Sequence, residues 1–137
     1  MNMKVINAEN CVAGRLASCV AKMLLNGEEV TIVNAERAIV TGNPKAIEKF
    51  FEEKIKRGDP YHGPFYPKKA ENILRRIVRG MLPYKKPRGK AAYKRLKVYR
   101  SVPEEFKNEQ AEVIGKARFK SDCKFLYLKD ASKKFGG

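Results

Sequence analysis

A β-type run, a helical pattern and a second β-type run follow one another at the start of the chain. The two runs are Met3–Ile6 and Val30–Val33, and between them Leu16, Val20 and Leu24 recur with the period of a helix. Strands that are joined through a helix of this length form a βαβ unit, in which they are parallel and the crossover is right-handed. This order therefore predicts an α/β protein with a parallel sheet.

The next two segments continue the alternation of strand and helix. Ala38–Thr41 is rich in β-type residues, but only residues 34–37 separate it from the preceding run, which is too short for a full helical crossover. It is either an adjacent antiparallel strand or a strand that is reached through one helical turn, and the residues leave both open. Asn43 and Pro44 then predict a helix start, as N-cap and first helical residue. The predicted buried stripe of that helix consists of Ile47, Phe50, Phe51 and Ile55.

The central stretch of the chain begins with a helical pattern that has two different faces. Its apolar stripe consists of Ile73, Leu74, Ile77, Val78 and Met81. Arg75, Arg76 and Arg79 lie off this stripe, and like charges at such spacing repel one another in an isolated helix. The pattern therefore predicts a negatively charged partner for the arginines.

Shorter elements are predicted after this helix. Pro83 ends its pattern, and a basic loop is expected over Lys85–Lys90 because proline and glycine punctuate it. Leu96–Tyr99 predicts a short strand, and Phe125–Leu128 predicts the last one. Between them, Glu104–Glu112 is interpreted as a charged surface segment that is either helical or irregular.

Positive charge is concentrated in the middle of the chain. The formal net charge is +15, with residues 1–53 contributing −1, residues 54–103 contributing +14 and residues 104–137 contributing +2. A basic balance of this size favours nucleic acid as the partner, ahead of an acidic membrane surface. RNA is favoured over DNA because the sequence contains no helix-turn-helix, zinc-finger or homeodomain pattern.

Motifs for catalysis, cofactors and metals are weak. The loop before the first helix holds one glycine, Gly14, instead of GxGxxG, and no GxxxxGK[ST] occurs. His62 is the single histidine and has no serine or cysteine near it in sequence to form a catalytic pair. The three cysteines show no CxxC spacing, which argues against a zinc site or a disulfide framework. We therefore expect no enzyme activity, cofactor, metal or small-molecule substrate.

The loop between the second and third helices is rich in proline, glycine and aromatic residues. Residues 58–69 read GDPYHGPFYPKK. Tyr61, Phe65 and Tyr66 either stack on unpaired bases or pack against their own domain, and the sequence does not decide between them. His62 has the same two options, stacking on a base or packing on a neighbouring residue.

The sequence contains no membrane or export signal. Its first residues lack the apolar region of a signal peptide, and no apolar run approaches the roughly 20 residues that cross a bilayer. We expect a cytoplasmic protein with no membrane partner.

Three segments resemble one protein family. They are NAENCVAGRLAS, IVNAERAIVTGNP and ILRRIVRGMLPYKKPRGKAAYKRLKVYRSVP, of which the last is the most specific. With them the chain resembles the L-thirteen family of large-subunit ribosomal proteins, in its archaeal/eukaryotic form. The resemblance implies one three-layer α/β/α domain with a Rossmann-like, mostly parallel four-stranded sheet. It also implies binding to large-subunit ribosomal RNA, support of its assembly and contact with neighbouring large-subunit proteins.

Within this domain, residues 1–57 are expected to form most of the core, residues 58–103 the RNA face and residues 104–137 a C-terminal surface segment. The predicted RNA-binding residues are Arg75, Arg76, Arg79, Lys85, Lys86, Arg88, Lys90, Lys68, Lys69, Lys94, Arg95 and His62. Gly80, Pro83 and Gly89 match the family motif and are expected to shape the backbone. The alternatives are a nucleotide-dependent RNA-modifying enzyme and a free-standing RNA chaperone or regulator.

Overall fold

The computed structural model describes residues 3–56, 69–106, 111–119 and 124–133. The strands in these ranges are β1 (Met3–Asn7), β2 (Glu29–Val33), β3 (Ile39–Thr41), β4 (Leu96–Val98) and β5 (Phe125–Tyr127). The helices are α1 (Ala13–Leu25), α2 (Pro44–Lys56), α3 (Ala70–Gly80), α4 (Pro87–Lys94) and α5 (Leu128–Lys133). Two 3₁₀ turns lie at Ala35–Arg37 and Glu104–Phe106.

The predicted βαβ unit is confirmed. β1 and β2 are parallel neighbours, with Ile6 opposite Ile32, and α1 connects them. β4 joins the other edge of β2, also in parallel, with Val30 opposite Leu96. The order of this sheet is β1-β2-β4, which confirms the α/β class and the mostly parallel sheet. Among the described residues the sheet has three strands, whereas the family resemblance implied four.

β3 leaves this sheet and pairs with β5. The backbone of Asn34 takes a left-handed conformation, with φ 56°, and a 3₁₀ turn follows directly. The turn is too short for a parallel crossover back into the same sheet. β3 instead forms an antiparallel ladder with β5, Val40 opposite Leu126. Of the two options that the sequence allows for this segment, the strand reached through one helical turn is the correct one.

The main core lies between the parallel sheet and the helices. Ile6 and Ile32 from the sheet, Leu16 from α1 and Leu74 from α3 are all fully buried there. The opposite face of the sheet is covered by Phe106, which packs against Val5 and Val33. The segment expected at the surface from Glu104 therefore starts by burying an aromatic side chain.

The start of α2 is as predicted, but its apolar stripe is narrower. The Lys45 amide donates a hydrogen bond to Asn43 Oδ1 at 3.0 Å, which is the expected N-cap interaction. Ile47 and Phe51 are buried, whereas Phe50 is 53% exposed, so its predicted burial is wrong. The predicted helix end at Arg57-Gly58 lies outside the described residues. None of the helices in the described ranges has the length and apolar character needed to cross a membrane.

Candidate nucleic-acid interface

Helix α3 anchors the basic stretch to the core. Ile73, Leu74 and Val78 are fully buried, which confirms the apolar stripe over most of its length. Met81 belonged to the predicted stripe, but α3 ends at Gly80 and the Met81 side chain is 43% exposed. The stripe is thus one turn shorter than the sequence pattern predicts, and the arginines occupy the opposite side.

The predicted basic loop at Lys85–Lys90 is wrong for most of its length. A tight turn follows α3, in which the Lys86 amide donates to the Pro83 carbonyl at 3.0 Å. Helix α4 then starts with Pro87 at its first position, where proline's fixed φ suits a helix. Only Lys85 and Lys86 remain in the turn, because Arg88 and Lys90 belong to the helix.

Gly89 explains why α4 lies so close to this turn. A Cβ atom placed on Gly89 would overlap the backbone carbonyl of Pro83 and would lie 2.8 Å from the Tyr84 nitrogen. Only a residue without a side chain allows this approach of two backbones. The glycine that suggested a loop is therefore needed for packing inside a helix, as its expected role in shaping the backbone implies.

Most of the predicted RNA-binding residues project into solvent. The exposed ones are Lys69, Arg76, Lys85, Lys86, Arg88, Lys90 and Lys94. Arg75, Arg79 and Arg95 are half-buried. We call Lys69 through Lys94 on α3, the turn and α4 the basic surface. Lys68 and His62 lie outside the described residues, as do Tyr61, Phe65 and Tyr66.

The basic surface has almost no acidic counterpart. The sequence from residue 72 to 103 contains no aspartate or glutamate. Glu71, at the start of α3, lies 3.8 Å from the Arg100 Nε and is thus engaged at one end of the surface. Within the part of the chain that the structure describes, no cation of this surface forms an ion pair, so this side of the protein attracts polyanions.

Two arginines of α3 stack on tyrosines, an arrangement that the sequence reasoning missed. Arg75 Cζ lies 4.6 Å from the centroid of the Tyr93 ring, and Arg79 Cζ lies 4.0 Å from that of Tyr84. The two rings contact each other edge to face, with centroids 5.5 Å apart and planes at 85°. Tyrosines on both sides of a predicted basic loop are a signal for such stacking, but the pairing depends on where α4 packs, which is against α1.

The exposed Arg76 and the half-buried Arg95 have different surroundings. A Cβ at Gly80 would lie 3.6 Å from Arg76 Nη1, so this guanidinium extends over the last turn of α3. Arg95 donates from Nη2 to the Leu24 carbonyl at 2.6 Å, at the C-terminal end of α1. A cation at that end favourably meets the helix dipole. Arg95 therefore contributes to the fold, at the junction of α4 and β4.

The described residues offer little for catalysis. Gly14 lines an apolar cavity of about 640 Å³ between α1, β3, α2 and α3, in which Arg76 is the one cation among the described lining residues. Burial raises the pKa of the Cys11 thiol, an effect that the nearby Arg118 opposes, and a neutral thiol is a poor nucleophile. The described ranges contain no group of three or more metal-ligating side chains.

Comparison with known proteins identifies a single family. The family model for ribosomal protein L13 matches residues 1–105. The large ribosomal subunit protein uL13 of Thermoplasma volcanium is 46% identical over 135 residues, covering 98% of this chain and 99% of its own. The protein of the same name from Methanosarcina barkeri is 46% identical over 137 residues, covering 98% of each chain. That from Methanococcus maripaludis is 53% identical over 106 residues, covering 74% and 77%.

Proposed function

The chain belongs to the ribosomal protein L13 family, and on this premise we propose that it is a structural constituent of the large ribosomal subunit whose basic surface binds ribosomal RNA. One observation supports RNA binding by this surface above all others. Exposed cations lie on α3, the turn and α4, and the sequence from residue 72 to 103 contains no acidic residue. The family has a structural, non-enzymatic role, and its place is the cytoplasmic ribosome.

The mechanism is charge neutralisation on a rigid support. Arginine donates two parallel hydrogen bonds to one phosphate, whereas lysine acts as a mobile point charge. The basic surface offers both kinds, with arginines on α3 and lysines in the turn and on α4. Cations that neutralise closely spaced phosphates allow RNA helices to pack together, which is how the protein supports assembly of the subunit. Lys68 and His62 join this surface in the proposal on sequence grounds alone.

Salt dependence measures the number of phosphates that the protein contacts. With about six to eight contacts, log K falls with log salt concentration with a slope on the order of −5 to −7. Replacing Arg75, Arg76 and Arg79 together with alanine is expected to flatten the slope by roughly 2 to 3 units, because each lost phosphate contact contributes nearly one. The measurement is the affinity for deproteinised large-subunit rRNA over a range of KCl concentrations.

A matched control removes the same charge elsewhere. Lys45, Lys49 and Lys116 are exposed and lie outside the basic surface. Their triple alanine variant is expected to keep the slope of the unmodified protein to within about one unit, since long-range effects of three charges are screened. An equal loss of slope in both triple variants would show that net charge alone, and not the basic surface, governs binding.

Sedimentation with large subunits distinguishes a constituent of the subunit from a protein that acts outside the ribosome. A constituent of the subunit, held by RNA and by neighbouring large-subunit proteins, stays with large subunits through a moderate salt wash. A free-standing RNA chaperone or regulator would separate from them. The enzyme alternative requires saturable binding of ATP, a dinucleotide or S-adenosylmethionine, and we expect none because the cavity beside Gly14 is mostly apolar.

A further inference from the structure

Four side chains of the basic surface form one continuous stack. It runs from Arg75 to Tyr93, from Tyr93 to Tyr84 and from Tyr84 to Arg79. We propose that Tyr84 and Tyr93 are positioning residues for RNA binding, which hold the guanidinium groups of Arg75 and Arg79 in place to receive backbone phosphates. This inference rests on the proposed function, because it concerns how the same surface binds its ligand.

The stack counteracts the repulsion between the two arginines. Arg75 and Arg79 are one helical turn apart and repel each other, so without other contacts their long side chains would spread into solvent. The negative face of a tyrosine ring attracts a guanidinium. Each ring covers a face of one guanidinium, and a planar group held in this way still presents its N–H edge outward.

The chemistry of Arg75 defines how it can hold a phosphate. Its Nε is buried and has no hydrogen-bond acceptor among the described residues. The two terminal Nη groups are then the donors available to a ligand. They can donate two parallel hydrogen bonds to two oxygens of one phosphodiester. The ligand of the stack is therefore a backbone phosphate, and the tyrosines act through the arginines without touching RNA.

The tyrosines themselves are fixed by the backbone. The Tyr84 amide donates to the Leu82 carbonyl at 2.7 Å, and the same peptide packs against Gly89 of α4. Tyr93 is carried by α4, whose Ala92 is fully buried in the core. The backbones of both tyrosines are thus fixed in the free protein, and the contact between the two rings restricts their side chains before any RNA arrives.

Prior ordering changes affinity without adding a contact. A long side chain that is already restricted loses less freedom on binding, which improves affinity by roughly two- to tenfold for each arginine. The number of phosphates contacted, and with it the salt slope, depends on the arginines alone. Positioning and contacting residues can therefore be distinguished by experiment.

The test uses the full chain and deproteinised large-subunit rRNA from Methanosarcina barkeri, whose uL13 is 46% identical. Tyr84→Leu and Tyr93→Leu should each weaken binding by roughly two- to tenfold at fixed salt while the salt slope stays unchanged. Tyr84→Phe and Tyr93→Phe should bind as tightly as the unmodified protein, because phenylalanine keeps the ring face. Arg75→Ala and Arg79→Ala should each reduce the slope by about one unit.

Tyr127 provides a matched control. It also has a cation above its ring, with Lys129 Nζ 5.3 Å from the centroid, but it lies in β5, outside the basic surface. Tyr127→Leu should leave the affinity for the RNA unchanged. A loss equal to that of Tyr84→Leu would mean that the effect is general destabilisation, and the positioning role would be rejected.

Other outcomes also overturn the inference. Leucine variants that bind as tightly as the unmodified protein would remove any role for the rings. A loss of affinity in the phenylalanine variants as large as in the leucine variants would mean that the tyrosine hydroxyls contact RNA directly, because the salt slope does not report the loss of a neutral side chain. If a leucine variant does not fold, pentafluorophenylalanine at the same position keeps the shape of the ring and reverses its electrostatic face. Affinity should then fall as predicted for leucine, and an unchanged affinity would refute the stack.

Separate experiments test the proposed function and this inference. If the unmodified protein shows no salt-dependent binding to the rRNA, the assignment of the basic surface is wrong. In that case, upfield-shifted Cδ protons of Arg75 and Arg79 in the NMR spectrum of the free protein would still establish the stack. Normal shifts for these protons would exclude the prior ordering on which the positioning role depends.

Discussion

Gly89 decides whether the turn and α4 can pack together. Its position inside a helix is unfavourable, because glycine costs about 0.5–1 kcal/mol relative to alanine there. The backbone carbonyl of Pro83 occupies the space that a Cβ would need, and backbone cannot move aside as a flexible side chain can. Gly89 thus lowers the intrinsic stability of the helix, but it allows the close backbone contact that places Tyr84 beside Tyr93.

Gly89→Ala is expected to destabilise the protein by about 1–3 kcal/mol, the usual cost of overpacking. Gly14→Ala is the matched control, since Gly14 is also near the start of a helix, but a Cβ there meets nothing within 4 Å. That substitution should stabilise the protein by up to about 1 kcal/mol through helix propensity. Urea unfolding at equilibrium measures both, and equal changes of the same sign would contradict the packing argument.

At the same scale, sequence reasoning identified the charges of the site but not their geometry. Arg75, Arg76 and Arg79 follow from the period of α3, since residues off an apolar stripe are recognisable without a structure. The pairing with Tyr84 and Tyr93 does not follow, because it depends on the direction in which α4 returns. The charge of Arg95 predicts a place among the RNA-binding residues, whereas its hydrogen bond to the Leu24 carbonyl is a tertiary contact that no local pattern reveals.

Among the elements, those with local signals were predicted and those that depend on tertiary contacts were not. α2 begins where Asn43 and Pro44 predict it, because capping acts within a few residues. α4 has eight residues, including proline and glycine, and a helix this short is not stable alone in water. Its stability comes from packing against α1 and the turn, which no local pattern reveals.

The N-cap of α2 provides a test at the level of this element. Asn43→Ala removes the acceptor for the Lys45 amide and is expected to cost about 0.5–2 kcal/mol of stability. Asn43→Ser keeps a side-chain oxygen in the same place and should remain close to the unmodified protein. Thermal or urea unfolding measures the stability of the unmodified protein and of the two variants. A serine variant as unstable as the alanine variant would exclude capping as the cause.

For the whole molecule, the division between a nearly neutral core and a basic segment was predictable, whereas part of the topology was not. Charge is additive along the sequence, so the +14 of residues 54–103 needs no structure. The pairing of β3 with β5 joins residues 39–41 to residues 125–127, and short β-type runs carry no information about such distant partners. The sequence likewise predicts β4 as a strand but does not predict that it lies beside β2.

This division of charge predicts how the free protein responds to salt. The cations of the basic surface repel one another in the folded state, and repulsion between exposed charges weakens when the Debye length falls from about 30 Å to about 10 Å between roughly 0.01 M and 0.1 M salt. Tm should therefore rise over this range in KCl, in calorimetry without RNA. A variant with Lys85, Lys86, Arg88 and Lys90 changed to glutamine should show a smaller rise. If Tm instead falls as the salt concentration rises, the attraction within ion pairs such as Lys4–Glu28 and Arg37–Glu9 outweighs the repulsion between the cations. The basic surface would then not destabilise the free protein.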